Sequence, residues 1–175
     1  VCDWSSDVCS SDLNGTFIFG DSGLEQNPDP EKLANIAISS ADSFKKLTGE
    51  EPAGRSYMWK TMVEKGLTCC GGSDAPVESF DVLENIQIAV TRDRIGEETN
   101  GWHPSEKLSV MEAVRMFTIN NAFGGFSEER RGSLEIGKDA DMTILSEDIF
   151  QTEPHRISKI KVLETIVGGK TVYGG

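Results

Sequence analysis

Residues 67–80 read LTCCGGSDAPVESF, and the fold turns on how this run is taken. Leu67 to Gly72 form a short apolar stretch closed by two glycines, the pattern of a strand buried on both faces of a parallel sheet. A helix precedes it. Ser56 is a good cap, Met58, Trp59, Met62 and Val63 form an apolar stripe, and Gly66 supplies the stop. A second helix follows the loop. Asp81 and Glu84 make a capping-box-like pair at its head, and Val82, Leu83, Ile86, Ala89 and Val90 line one face. Helix, strand, loop and helix in that order is the grammar of α/β folds.

In such folds chemistry collects at the carboxyl ends of the strands. Asp74 stands at that end of the expected strand. Gly71 and Gly72 let the backbone turn tightly before it, and Pro76 stiffens the loop beyond. A carboxylate so placed is able to bind a metal or accept a proton. It is equally able to do no more than cap or turn the loop.

Working outward towards the N-terminus, GTFIFG at 15–20 reads as a short buried strand and NPDP at 27–30 as a turn. Asp29 and Pro30 suit the start of a helix whose apolar positions are Leu33, Ile36, Ala37, Ala41, Phe44 and Leu47, ending at Gly49. Towards the C-terminus, 93–106 is a polar loop. Ser109 and Glu112 then form a capping box, and Val110, Ala113, Val114 and Phe117 repeat helically towards Asn121. Beyond Gly125 the texture is β: a turn at Gly137, a strand at 141–146, and two further strands joined at Gly168-Gly169, a hairpin signal.

The bulk properties narrow the function. A formal charge of −12 over 175 residues argues against nucleic acid. No apolar run approaches the length of a bilayer span, so no membrane partner is expected. The N-terminus lacks the basic and apolar stretches of a signal peptide, and the cysteines form no CxxC pair, so a reduced, cytoplasmic setting is expected. His103 and His155 lie in polar stretches with no HxH or HExxH and read as surface residues. Cys69 and Cys70 alternate across the expected strand and read as inert, one of them packed as a small apolar side chain. Gly71-Gly72-Ser73 is too little for a phosphate loop, and no Ser–His–acid set presents itself.

Three stretches, GSDAPVES, RRGSLEIGKDADMTIL and VLETIVGGKTVY, carry a resemblance. Residues 55–175 resemble the C-terminal part of a metal-dependent amidohydrolase of the amidohydrolase family 3 type. The resemblance implies a (β/α)8 barrel with a small accessory β-sandwich, residues 67–72 being the eighth barrel strand. It also implies zinc or another divalent metal, a small-molecule amide-type or N-formyl substrate, and Asp74 as a metal ligand or as proton acceptor for the attacking water. On that pattern the family needs an HxH on the first strand, a mid-barrel ligand and further histidines on the fifth and sixth strands. None of these stands in this sequence. A full barrel takes about 250 residues, and the matching segment supplies one strand of it.

Two other stretches resemble something else. Residues 15–52 resemble an internal piece of a phosphate acetyltransferase or acyltransferase. Asp3 to Leu13, DWSSDVCSSDL, is the in-frame translation of a nucleotide string that resembles a short-read sequencing adapter. The bland alternative for that opening is a Ser- and Asp-rich disordered tail.

The expectation is therefore a chimera of three pieces, an adapter translation, an acyltransferase fragment and the end of an amidohydrolase, laid out in four segments. Residues 1–14 are a non-native, disordered tail, and 15–54 are an unrelated strand–helix piece. Residues 55–125 are the last barrel strand and helices of an amidohydrolase, and 126–175 are its accessory β element. The implied function is a fragment of a metal-dependent hydrolase of non-peptide C–N bonds, inactive as this chain, with no metal bound, because most ligands are missing. The alternatives are a phosphate acyltransferase fragment and a non-catalytic small α/β protein. Segments that never evolved together should not share a cooperative core.

Overall fold

The computed structural model describes residues 57–73, 75 and 79–174. The expected strand at 15–20, the helix beginning at Asp29 and Asp74 itself lie outside the described residues.

Helix α1 runs Trp59–Glu64. Its stop is the one expected. Gly66 adopts φ +80°, its N–H reaches the Val63 carbonyl at 2.9 Å, and the Leu67 N–H reaches Met62 at 3.1 Å, the paired bonds of a Schellman motif. Helix α2 runs Val82–Thr91, with the Asp81 carboxylate accepting the Leu83 N–H as N-cap. It buries Leu83, Ile86, Gln87, Ala89 and Val90, while Val82, expected on the same face, is exposed. A 3-10 turn at Pro104–Glu106 leads to α3, Val110–Met116. The Ser109–Glu112 capping box forms in full: Glu112 N–H to Ser109 Oγ at 3.2 Å and Ser109 N–H to Glu112 Oε2 at 2.7 Å.

The helix expected to run on to Asn121 instead breaks. Thr118 leaves helical dihedrals (φ −128°, ψ −99°), and a new helix α4 spans Ile119–Gly124. The Thr118 hydroxyl donates back to the Val114 carbonyl at 2.8 Å, a local bond that competes with the helical ladder.

Strand β1 is Met142–Leu145, β2 is Val162–Val167 and β3 is Lys170–Gly174. They form one antiparallel sheet in the order β1-β2-β3. The β2–β3 turn uses Gly168 (φ +55°) and Gly169 (φ +75°), the two positive φ angles of a type I′ hairpin. A second 3-10 turn, Pro154–Lys159, precedes β2.

The core lies between α2, α3 and this second turn. Leu83, Ile86, Ala89, Val90, Leu108, Ala113, Met116, Ile149, Ile157 and Ile160 pack together with Cys69, and Leu145 and Val162 join from the sheet as half-buried neighbours. Burying a side chain such as Ile157 completely is worth roughly 1.5–3 kcal/mol. The sheet itself is little covered: Val172 and Tyr173 on β3 are 63% and 61% exposed.

One expectation about the fold needs correction. Residues 67–72 carry no strand pairing, and the only sheet among the described residues is antiparallel. A central parallel strand requires a neighbouring strand on each side, and among the described residues this run has neither. What is described is a small α/β piece: four helices and a three-stranded antiparallel sheet, rather than a barrel stave between two others.

Candidate functional site

The run leading to Asp74 is fixed by side chains instead of a ladder. Asn120 Nδ2 donates to the Cys69 carbonyl at 2.9 Å and Asn121 Nδ2 to the Gly71 carbonyl at 2.8 Å. The Gly71 N–H donates to the Met116 carbonyl at 3.0 Å. The break at Thr118 thus has a use: it sets the start of α4 where two consecutive asparagines meet the extended run. Gly71 is sterically required as well. A Cβ there would lie 2.9 Å from the Phe117 ring. Cys69 is buried, and burial pushes its thiol pKa up, away from nucleophilic use. Cys70 is exposed, and its Sγ donates to the Asn120 carbonyl at 3.2 Å. The backbone entering the Asp74 loop is therefore tied at Cys69 and Gly71 to α3 and α4. Asp74 lies outside the described residues.

The two histidines have separate local partners. His103 caps the first 3-10 turn in a left-handed conformation (φ +48°) and packs edge-on against Trp102, ring centroids 4.5 Å apart. His155, expected at the surface, is half-buried. Its Nε2 is 2.9 Å from Asp93 Oδ2 and its Nδ1 3.2 Å from Glu153 Oε1. Asp93 also accepts the Thr99 N–H at 3.1 Å and the Thr99 hydroxyl. The hydrogen bond that His155 donates to the Asp93 carboxylate raises the His155 pKa above its usual value. Burial works to raise the Asp93 pKa, but the bonds from His155 and Thr99 together outweigh it and hold the carboxyl below its usual range.

Arg92 is the most deeply buried charge. It terminates α2 in a left-handed conformation (φ +61°) and is 1% exposed. Its Nε donates to the Trp102 carbonyl at 3.0 Å and its Nη1 to the Tyr57 carbonyl at 3.1 Å, while the guanidinium sits 4.9 Å and 5.0 Å from the Trp59 and Trp102 rings. Burial lowers its pKa to about 10, against the pull of Glu106. Glu106 accepts the Thr61 N–H at 2.9 Å and its hydroxyl at 2.5 Å. These groups cross-tie elements and present no reactive atom.

A cavity of about 310 Å³ opens between Thr68, Arg115, Asn120, Glu128 and Lys138. Lys138 is already paired with Glu135 at 3.2 Å and with Ser133 at 2.7 Å. Among the described residues no three His, Cys, Asp or Glu side chains converge as a metal-binding set. The described residues do not fit a catalytic metal centre, which takes about three protein ligands plus water.

Sequence reasoning did not single out Asn120, Asn121, Asp93 or Arg92. The Asn-Asn pair was the readable signal, since asparagine is a poor helix residue whose side chain favours backbone partners. The partners themselves lie 50 or 51 residues away for the asparagines and 62 for Asp93–His155, beyond any local pattern.

Comparison with known proteins identifies the class. The amidohydrolase family model matches residues 27–173, and the chain belongs to that family. It is 39% identical over 127 residues to "Putative amidohydrolase YtcJ" of Bacillus subtilis (strain 168), covering 71% of this chain and 24% of that protein. It is 29% identical over 114 residues to the N-substituted formamide deformylase of Arthrobacter pascens, covering 65% and 21%. A shorter similarity, 48% identity over 44 residues, links it to the phosphate acetyltransferase of Acetivibrio thermocellus, covering 25% of this chain and 13% of that enzyme. The chain thus spans about a quarter or less of each of these relatives. Among the described residues no helix is long and apolar enough to cross a membrane.

Proposed function

We propose that residues 55–175 are the C-terminal portion of a hydrolase acting on non-peptide C–N bonds, amide or N-formyl, and that this chain alone is inactive. The family match over 27–173 carries the reading, and the name of the formamide deformylase relative supports the substrate class. In the complete enzyme Asp74 acts at the mouth of the site, as a metal ligand or as proton acceptor for the attacking water. The tethered run before it, fixed by Asn120, Asn121 and Met116, is the stem that sets its position. The inactivity rests on the ligand set: the HxH and the further histidines that the family pattern requires do not stand in this sequence.

Residues 15–52 come from a different enzyme. The phosphate acetyltransferase similarity supports this, although the amidohydrolase match begins at residue 27, inside that segment. Residues 3–13 are an adapter translation, joined to both.

The test uses the chain and a graft. The purified 175-residue protein, supplied with zinc, is assayed on amides, on N-formyl amines and on acetyl-CoA with phosphate; no turnover is expected with any of them. Residues 55–175 are also exchanged for the corresponding end of the Arthrobacter pascens deformylase. Deformylation by the graft is expected, with Asp74→Asn lowering it by at least about a hundredfold. Turnover of an amide by the chain alone, abolished by Asp74→Asn, overturns the inactivity. A graft whose deformylation is left unchanged by Asp74→Asn overturns the role of Asp74.

A further inference from the structure

We propose that Asp93 and His155 form a proton-operated clasp fastening the second 3-10 turn, and with it the β-sheet, to the end of α2. The geometry carries the proposal. Asp93 follows the last turn of α2 directly, its side chain 3% exposed, and His155 reaches it from Pro154–Lys159 with its own side chain 18% exposed. The carboxylate is aimed from behind by the Thr99 N–H and hydroxyl, so it meets the imidazole without rearranging. A second tie joins the same two elements: the Ser158 N–H donates to Gln87 Oε1 at 2.8 Å, and Gln87 is itself buried on α2. That bond does not titrate. It makes a reporter of docking that is independent of the ionising pair. Ile157, fully buried between them, supplies the apolar seat.

Among the surrounding charges Glu153 also acts on His155, in the same direction as Asp93. On the turn stand Glu153, Arg156 and Lys159; beside Asp93 stand Arg92 and Arg94. Glu153 holds the other imidazole nitrogen, Arg94 pairs with Glu97 at 3.4 Å, and Arg92 is spent on Trp102 and Tyr57. The direction with pH follows. His155, raised from 6.5, contributes fully below that value and loses its contribution as pH climbs through the folded-state titration. Asp93, lowered from 3.8, contributes above that value and loses its contribution as pH falls through its own folded-state titration. The clasp is tightest between 3.8 and 6.5 and loosens on the alkaline side.

The chain has two histidines, so ring NMR of the full-length protein, with His103→Gln to assign the second, reads His155 directly. We expect it to titrate above 6.5, and Asp93→Asn to bring it down. Exchange of the Ser158 amide, corrected for its intrinsic rate, should speed up roughly threefold from about pH 6 to about pH 8.5. In His155→Gln the corrected rate should be the same at both. A His155 midpoint that Asp93→Asn leaves in place overturns the proposal. So does Ser158 protection that is equal at the two pH values in the unsubstituted chain, or absent at both.

Discussion

The β2–β3 hairpin pairs Val167 with Lys170 across two glycines, its ladder to β3 drawn from adjoining chain, with its turn also tied to the start of β1 by Gly168 N–H to Asp141 Oδ1 at 2.8 Å and Gly169 N–H to the Ala140 carbonyl at 2.9 Å. The run from Leu67 to Ser73 draws its bonds from elsewhere: Asn120, Asn121 and the Met116 carbonyl, all supplied by α3 and α4 or their flanks. Both segments are glycine-rich, yet their order has different sources. One takes its cross-strand ladder to β3 and its turn conformation from adjoining residues, with β1 and its flank adding to them. The other is held by residues some fifty positions away, and its backbone is satisfied by amide side chains because no neighbouring strand among the described residues does it. A segment of the second kind is the more easily disturbed by a change at a distance.

Three substitutions sharpen or break this contrast. The largest effect belongs to Ile157→Ala, which empties the seat that joins the sheet to the helices. It should cost about 2–5 kcal/mol in chemical denaturation, while cross-strand NOEs between β2 and β3 persist. Loss of those NOEs together with the docking would show that the hairpin is not self-sufficient. Next comes Gly71→Ala, whose Cβ meets Phe117 at 2.9 Å. The expected cost is about 1–3 kcal/mol, with much of it recovered by adding Phe117→Leu. Failure of that rescue would remove the steric account of the tether. The smallest is Gly169→Ala. Its new Cβ meets only Ala140 at 3.8 Å, so the cost is the positive φ alone, roughly 1 kcal/mol. Gly169→Asn should recover part of it, as left-handed asparagine is tolerated.

The same contrast explains what the sequence discloses. The Ser109–Glu112 box, the Gly66 stop and the Gly168-Gly169 turn are local in mechanism, and each stands where the pattern puts it. The apolar run at 67–72 signals extended backbone, but a pattern of side chains cannot say whether a neighbouring strand exists, and among the described residues none is paired with it. The break at Thr118 was hidden for a related reason: the apolar period runs unbroken up to Phe117, directly before it, and the competing hydroxyl bond is visible only in space. The candidate site is legible in the same measure. The glycines before Asp74 are readable, whereas the asparagines that hold them, and the Asp93–His155 pair, depend on tertiary proximity.

The guanidinium of Arg92 has a last consequence for α1. That helix is six residues long and has no side-chain cap of its own, well short of what holds a helix in isolation. Its place is set from outside, by Arg92 gripping the Tyr57 carbonyl and stacking on Trp59, by Glu106 on Thr61, and by Glu112 on Lys60 at 2.7 Å. α1 is a tenant of the loop between α2 and α3, and its fate under any change of sequence is decided by its landlords.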